Sequence, residues 1–290
     1  MSVTAAALAV LTGCGSVQAG GEPEAGASAT SSTATADKKL QMESMLADCM
    51  KQKGFKYVAY VPPEEKQTAA EIKRDNGDYQ EMRIDREKYG FGVFAEYIYP
   101  GEVGISKEEA KVDKDPNAKI TDDLSTSQYT SYKNARDTCF TIAAKKVLGK
   151  NIKKRTDIFV QFSQAKKLIV AREVDGDPRL VGLASAMADC LRGKGYTVAK
   201  TAPRDISMAV QDSIHDMATR IGAKQQGVEF DPDSGEIIMP ELTAAQAKPY
   251  FQKEIKAALD DLECGKDFYP VYNPKDLKIN STLLAEYAMS

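Results

Sequence analysis

Two ten-residue segments far apart in the chain repeat each other, and each holds a cysteine at the same place. Residues 46–55 read LADCMKQKGF and residues 187–196 read MADCLRGKGY. Ala-Asp-Cys recurs at 47–49 and 188–190, Lys-Gly at 53–54 and 194–195, and Phe55 answers Tyr196. The same offset aligns Pro62 with Pro203. Well downstream of each copy comes a second cysteine, Cys139 in the first half and Cys264 in the second. Repetition of one supersecondary plan accounts for this pattern.

Each copy opens with a helix that ends in glycine. Met42, Met45, Leu46, Cys49 and Met50 share one helical face in the first. Leu180, Leu183, Ala184, Met187 and Leu191 do so in the second, where Asp177 is placed to cap the helix with Pro178 at its first position. Gly54 supplies a left-handed exit in the first copy, and Gly193 or Gly195 ends the second. Partner helices are expected over about 127–148 and 243–263, with Pro249 interrupting the first turns of the latter. Further helices are expected over about 78–88, 156–174 and 204–221. Strand signal is thin. Phe91–Tyr99 reads as one strand, and Val228–Met239 as a hairpin about the turn Pro232-Asp-Ser-Gly235.

The N-terminus carries a second constraint. A short apolar run from Ala5 to Leu11 leads into Leu11-Thr12-Gly13-Cys14, followed by a segment rich in Gly, Ala, Ser and Thr. The arrangement looks like a bacterial lipobox, with cleavage before Cys14 and acyl chains such as palmitate carried on it. A secretory signal normally opens with basic residues, yet no Lys or Arg precedes Lys38; an upstream start codon would supply them. Acyl anchoring follows about 0.8 kcal/mol per buried methylene, so two or three chains hold where one does not. Residues 15–37 hold almost no large apolar side chain and are expected to be a disordered tether. A random coil of that length reaches roughly 25–30 Å.

With Cys14 assigned to lipid, Cys49, Cys139, Cys190 and Cys264 remain, an even number suited to disulfides in an oxidising compartment. They are dispersed, and His215 is the sole histidine, so no metal or other cofactor is expected. Four cysteines allow three connectivities. The duplication favours Cys49–Cys139 and Cys190–Cys264, one bond within each copy; the rival joins Cys49 to Cys190 or Cys264.

Candidate chemistry is sparse. His215 lies on an expected helix and has no Gly-x-Ser-x-Gly elbow to serve. Asp231-Pro-Asp233-Ser-Gly235-Glu236 has the opening of a calcium loop but reads better as a turn. Tyr89-Gly90-Phe91-Gly92 lacks the spacing of a phosphate cradle. The carboxylate pairs Asp122-Asp123 and Asp260-Asp261 are the residues a glycoside hydrolase would draw on, although neighbours on one helix point apart. The aromatic set Tyr89, Phe91, Phe94, Tyr97 and Tyr99 is the candidate ligand or partner surface, with a core role as the alternative. A net charge of −3 offers no basic footprint for nucleic acid.

On these motifs the chain resembles a group of uncharacterised actinobacterial extracytoplasmic lipoproteins. The resemblance rests on Cys-Met-x-x-x-Gly-aromatic at Cys49–Phe55, Tyr-Gly-x-Gly at Tyr89–Gly92, Cys-x-x-x-Ala at Cys139–Ala143 and the second copy at Cys190–Tyr196. It implies secretion, lipidation, helicity and disulfides, and no catalytic residue.

The expected architecture is therefore mainly α with minor β. It comprises a signal peptide over 1–13, a lipid-anchored tether over 14–37, a first helical repeat over 38–152 and a second over 153–290 that ends in a tail. The expected role is non-catalytic binding or scaffolding at the extracytoplasmic face of the cell membrane, with an envelope protein or the cell wall as partner. The alternatives are an accessory regulatory lipoprotein of an envelope-stress sensor and a cell-wall hydrolase.

Overall fold

The computed structural model describes residues 26–63, 66–103, 115–231 and 236–289, with side chains from residue 35 onward. The described residues form α1 (Gly26–Gln52), α2 (Ala69–Asp75), α3 (Tyr79–Tyr89), α4 (Ala95–Ile98), α5 (Pro116–Asp122), α6 (Thr126–Ala143), α7 (Asp157–Glu173), α8 (Pro178–Gly193), α9 (Pro203–Gln226), α10 (Ala244–Cys264) and α11 (Tyr269–Tyr287). A π-helical turn, Ala144–Leu148, extends α6 to a left-handed Gly149.

Side-chain caps set most of the helix starts. Thr68, Ser125 and Thr243 form reciprocal capping boxes with Glu71, Gln128 and Gln246. Asp78, Asp115 and Asp177 accept N–H groups of the first turn, with proline next at Pro116 and Pro178. Each such cap satisfies donors that have no partner inside the helix.

The two copies end their opening helices in the same way. Gly54 and Gly195 lie at φ +82° and +90°. The Phe55 N–H donates to the Met50 carbonyl and the Tyr196 N–H to the Leu191 carbonyl, each at 3.0 Å. This six-to-one closure is the Schellman arrangement, and it turns the following aromatic residue back toward its own helix. Cys49 is bonded to Cys139 and Cys190 to Cys264, with Cα separations of 5.6 and 5.5 Å. One disulfide thus ties α1 to α6 and the other ties α8 to α10.

The halves are not packed alike. Leu46, Met50, Tyr132, Ala135 and Cys139 form a small core of their own between α1 and α6. The α8–α10 pair lies in a larger core that also takes Met82, Val93, Phe94 and Ala95 from the first half. Helices α3 and α4 pack on α10, and α11 packs on α1, α2 and α7.

Minor β structure does not form: among the described residues the only bridge is Pro100 with Val103. The Phe91–Tyr99 segment is a pair of turns at Gly90 and Gly92, φ +63° and +94°, leading into α4. The Phe91, Val93 and Phe94 N–H groups that a strand would offer to a neighbour donate instead to the Glu254 carboxylate. The second expected strand pair, Val228–Met239, has no ladder among the described residues, and its two ends are held to α9 instead. Val228 N–H closes α9 on Ala223, and Gln225 binds both backbone groups of Glu241. The turn residues 232–235 lie outside the described residues.

Two further expectations change. Helix α1 begins at Gly26, within the segment expected to be a disordered tether. Its apolar stripe is anchored from Met42 onward, and extending a formed helix costs far less than nucleating one. The expected tail is α11, which buries Tyr269, Tyr272, Ile279, Leu283 and Tyr287. Pro270 and Pro274 hid it, yet Pro270 sits at the start, where a missing N–H costs little.

Two outcomes follow from these ties. Replacing Cys49 and Cys139 together with serine is expected to lower stability by roughly 2–5 kcal/mol, as for loss of a long-loop disulfide, while Cys190–Cys264 stays oxidised. Urea titration with non-reducing peptide mapping checks both parts, and a cross-linked peptide joining the halves contradicts the pairing. The second outcome concerns Asp260. Partial burial raises its pKa, but hydrogen bonds from Lys194, Lys256 and Tyr196 outweigh this and hold it at about 2. A depressed folded-state pKa stabilises above the unfolded value of about 3.9 and is lost as pH falls toward the folded one. Asp260→Asn is expected to cost about 1–2 kcal/mol at pH 7, allowing for the partly exposed lysines, and nearly nothing at about pH 2. Paired melts across that range give the answer.

Candidate functional site

An open groove of about 930 Å³ lies between α2, α3, α9 and α11. Its floor is the Gly90–Val93 loop with Met82, and its walls carry Arg74, Tyr89, Phe91, His215, Met239 and Leu277. Six carboxylates also face it: Glu71, Asp75, Asp85, Glu96, Glu102 and Asp276.

The floor is held from below by α10. Glu254 is fully buried, and its carboxylate accepts from the N–H groups of Phe91, Val93 and Phe94 at 2.9, 2.8 and 2.8 Å. Burial raises the Glu254 pKa, and these N–H groups oppose the rise. Gly90 permits the approach: a Cβ there would lie 2.6 Å from Glu254 Cγ, and its φ is +63°.

Arg86 forms the second support. It leaves the groove floor to meet Asp261 at 2.5 Å and the Ala258 carbonyl at 2.7 Å. Its guanidinium lies 5.2 Å from the Phe91 ring centroid and 5.0 Å from that of Tyr269. Tyr269 Oη donates to the same Asp261 carboxylate. Burial raises the Asp261 pKa, with Arg86 and Tyr269 acting against it. A buried carboxylate with an arginine and a phenol on it is satisfied, so it is a brace for α3 against α10.

The groove's other ionic groups are also engaged. Arg74 bridges Asp75 and Asp85 at 2.8 and 2.9 Å. Lys88 pairs with Glu102 at 3.0 Å and lies over the Tyr89 ring at 4.5 Å. Hydrogen bonds from Tyr89 and Lys88 hold the Glu102 carboxyl below its usual range. The surface therefore joins aromatic faces to an excess of carboxylate, which suits recognition of a polar ligand bearing cationic groups.

The structure divides the five aromatic residues singled out in the sequence. Tyr89 and Phe91 line the groove. Phe94 is wholly buried and stacks on Tyr250 at 5.3 Å. Tyr97 Oη donates to the Pro240 carbonyl at 2.5 Å. Tyr99 packs edge-on against Tyr89 and Phe251. Asp260 and Asp261 diverge, the first toward Lys194, Lys256 and Tyr196, the second toward Arg86 and Tyr269. Asp122 and Asp123 are exposed at the end of α5. His215 is half-buried in the groove wall, and its Nδ1 has no hydrogen-bond partner among the described residues. Cys14 lies outside the described residues. Among those residues no group of three or more His, Cys, Asp or Glu is placed to hold a metal ion.

Sequence reasoning missed Arg86, Glu254 and Tyr269 because their partners are some 8 to 175 positions away. The one usable signal was Tyr-Gly-x-Gly at Tyr89–Gly92, whose two glycines announced a tight turn. No family model, curated protein or solved structure matches this chain.

Gly90→Ala is expected to destabilise the oxidised protein by at least about 2 kcal/mol, since it adds strain and displaces Glu254. Gly92→Ala also meets a positive φ but finds nothing within 4 Å, so its cost should be smaller. Glu254→Gln puts an amide N–H₂ against backbone donors and is expected to cost about 2–4 kcal/mol. Urea midpoints of the three variants rank the effects, and equal values for the two glycines would contradict the close approach to Glu254.

Proposed function

We propose that this chain is a lipid-anchored extracytoplasmic protein with a non-catalytic binding or scaffolding role at the cell envelope. The observation that carries the reading is the pair of disulfides. Bonds of this kind persist where the surroundings are oxidising and are rare in reducing ones. The lipobox-like Leu11-Thr12-Gly13-Cys14 supports the same placement, with Cys14 as the acylated residue. The resemblance to actinobacterial extracytoplasmic lipoproteins points the same way.

The groove over Glu254 is the ligand-contacting surface in this proposal. Its arginines are committed to carboxylates and its buried carboxylates to backbone and arginine. Such groups orient a bound molecule through fixed charge and aromatic faces, with Tyr89 and Phe91 as the contacts.

Cell fractionation tests the anchor. The full-length protein is expected in the membrane fraction with a mature N-terminus at acylated Cys14, read by mass spectrometry. Cys14→Ala is expected to give an uncleaved or released form. Wild type and variant both fully soluble, with Met1 intact, would overturn the proposal.

A further inference from the structure

One stretch of the chain is strongly basic. Residues 145–173 hold nine Lys and Arg against two acids, Asp157 and Glu173, within a chain of net charge −3. The stretch comprises the π turn after α6, a short loop and α7. Lys145, Lys146, Lys153, Lys154 and Lys167 are exposed, and Lys166 is half-buried. Of the remaining cations, Lys150 pairs with Glu286, Arg172 with Glu173, and Arg155 lies over Phe140. The Asp157 carboxylate accepts from the N–H groups of Lys153 and Lys154.

Helix α7 within this stretch is apolar on both faces. Ile158 and Val170 are buried, and Phe162, Ala165 and Ile169 pack on the same core. Away from that core Leu168 is 72% exposed and Val160 53%, while Phe159, 49% exposed, lies on the opposite flank of the helix from Leu168. Val160, Lys167, Leu168 and Ala171 recur at i, i+7, i+8 and i+11, so they share the outward stripe. A helix with apolar residues all round normally finds cover on every side. On α1, the helix that follows the Cys14 segment, Leu40 lies beside Lys146 and Val147 and is 55% exposed.

We propose that this basic, apolar-studded face docks on an anionic lipid bilayer. The outward stripe is a convex helix surface, which suits a planar interface better than a small molecule. Lysines close to exposed Leu and Val are the composition that lies at a headgroup boundary, with the stems in the apolar layer and the ammonium groups at the phosphates. No described helix is long and apolar enough to cross a membrane, and the contact proposed is with the bilayer surface. The inference rests on the membrane placement proposed above only for its setting; the contact itself needs no acylation.

The test uses the full chain carrying Cys14→Ser, with both disulfides intact, and vesicles of equal parts phosphatidylglycerol and phosphatidylcholine. The protein is expected to sediment with these vesicles at about 0.1 M salt, to release at about 0.5 M, and to ignore pure phosphatidylcholine. Reversing Lys153, Lys154, Lys166 and Lys167 to Glu is expected to lower the partition coefficient at least about tenfold. Reversing Lys224, Lys248, Lys253 and Lys266 instead should change it by less than about threefold. Trp is absent from the chain, so Leu168→Trp gives a single reporter. Its emission should shift to the blue on vesicle binding and be quenched by brominated lipid, while Ile84→Trp should not respond. The apolar run before Cys14 is common to all variants, so only the differences count. Absence of binding, equal loss in both lysine sets, or a shift at Ile84→Trp without one at Leu168→Trp would overturn the proposal. Should the fourfold variant fail to fold, the salt dependence and the two reporters decide. Failure of acylation at Cys14 in cells with vesicle binding retained would sink the anchor alone.

Discussion

Glu254 is the residue on which the arrangement turns. A carboxylate taken fully out of water is costly unless its oxygens are satisfied. Here three backbone N–H groups from one loop supply that satisfaction. The loop belongs to the first half of the chain and the carboxylate to α10 in the second. One side chain therefore fixes where α3 and α4 meet α10, shapes the groove floor, and withdraws the N–H groups a strand would need. Its raised pKa says that desolvation outweighs the three donors. The tight fit is possible because Gly90 has no Cβ in the way.

The disulfides act at another level. Each closes one helix pair, and the two pairs share a Schellman exit and an aromatic residue turned back toward the helix. Their surroundings differ in kind. Phe55 meets Tyr132 edge-on within the small first core. Tyr196 instead sends its hydroxyl to Asp260 on α10. The same supersecondary unit is thus packed by ring contact in one copy and by an ion-linked hydrogen bond in the other. The central segment of the first half, α3 and α4, has been recruited to the core of the second.

Charge is divided across the molecule. The groove gathers carboxylates around committed arginines, and the stretch ending in α7 gathers nine Lys and Arg against two acidic residues. Opposite fields on one small protein orient it in any charged environment.

The helices that bury a stripe were legible in the sequence because a 3.6-residue period is a local property. Leu180, Ala184, Met187 and Leu191 announced α8, and Asp177-Pro178 announced its start. The repeated Ala-Asp-Cys and Lys-Gly also carried the disulfide plan, since a duplicated unit brings its own pairing. Where period was broken, reading failed: Pro270 and Pro274 concealed α11, although Pro270 sits in the first turn, where proline costs a helix little, and the burial of Tyr272, Ile279, Leu283 and Tyr287 holds the helix through Pro274. Alternating Phe91, Val93 and aromatic neighbours read as a strand, but strand formation needs a partner for its N–H groups, and Glu254 supplied a different one. Of the candidate site, Tyr89 and Phe91 were visible as aromatic residues beside glycines. Arg86, Asp261 and Tyr269 were not, because an ion pair across 175 positions leaves no local mark. The sequence by itself determined the helix faces, the caps and the cysteine pairs. The tertiary structure alone decided which buried carboxylate met which backbone, because that depends on long-range packing and on the cost of leaving a charge unsatisfied away from water.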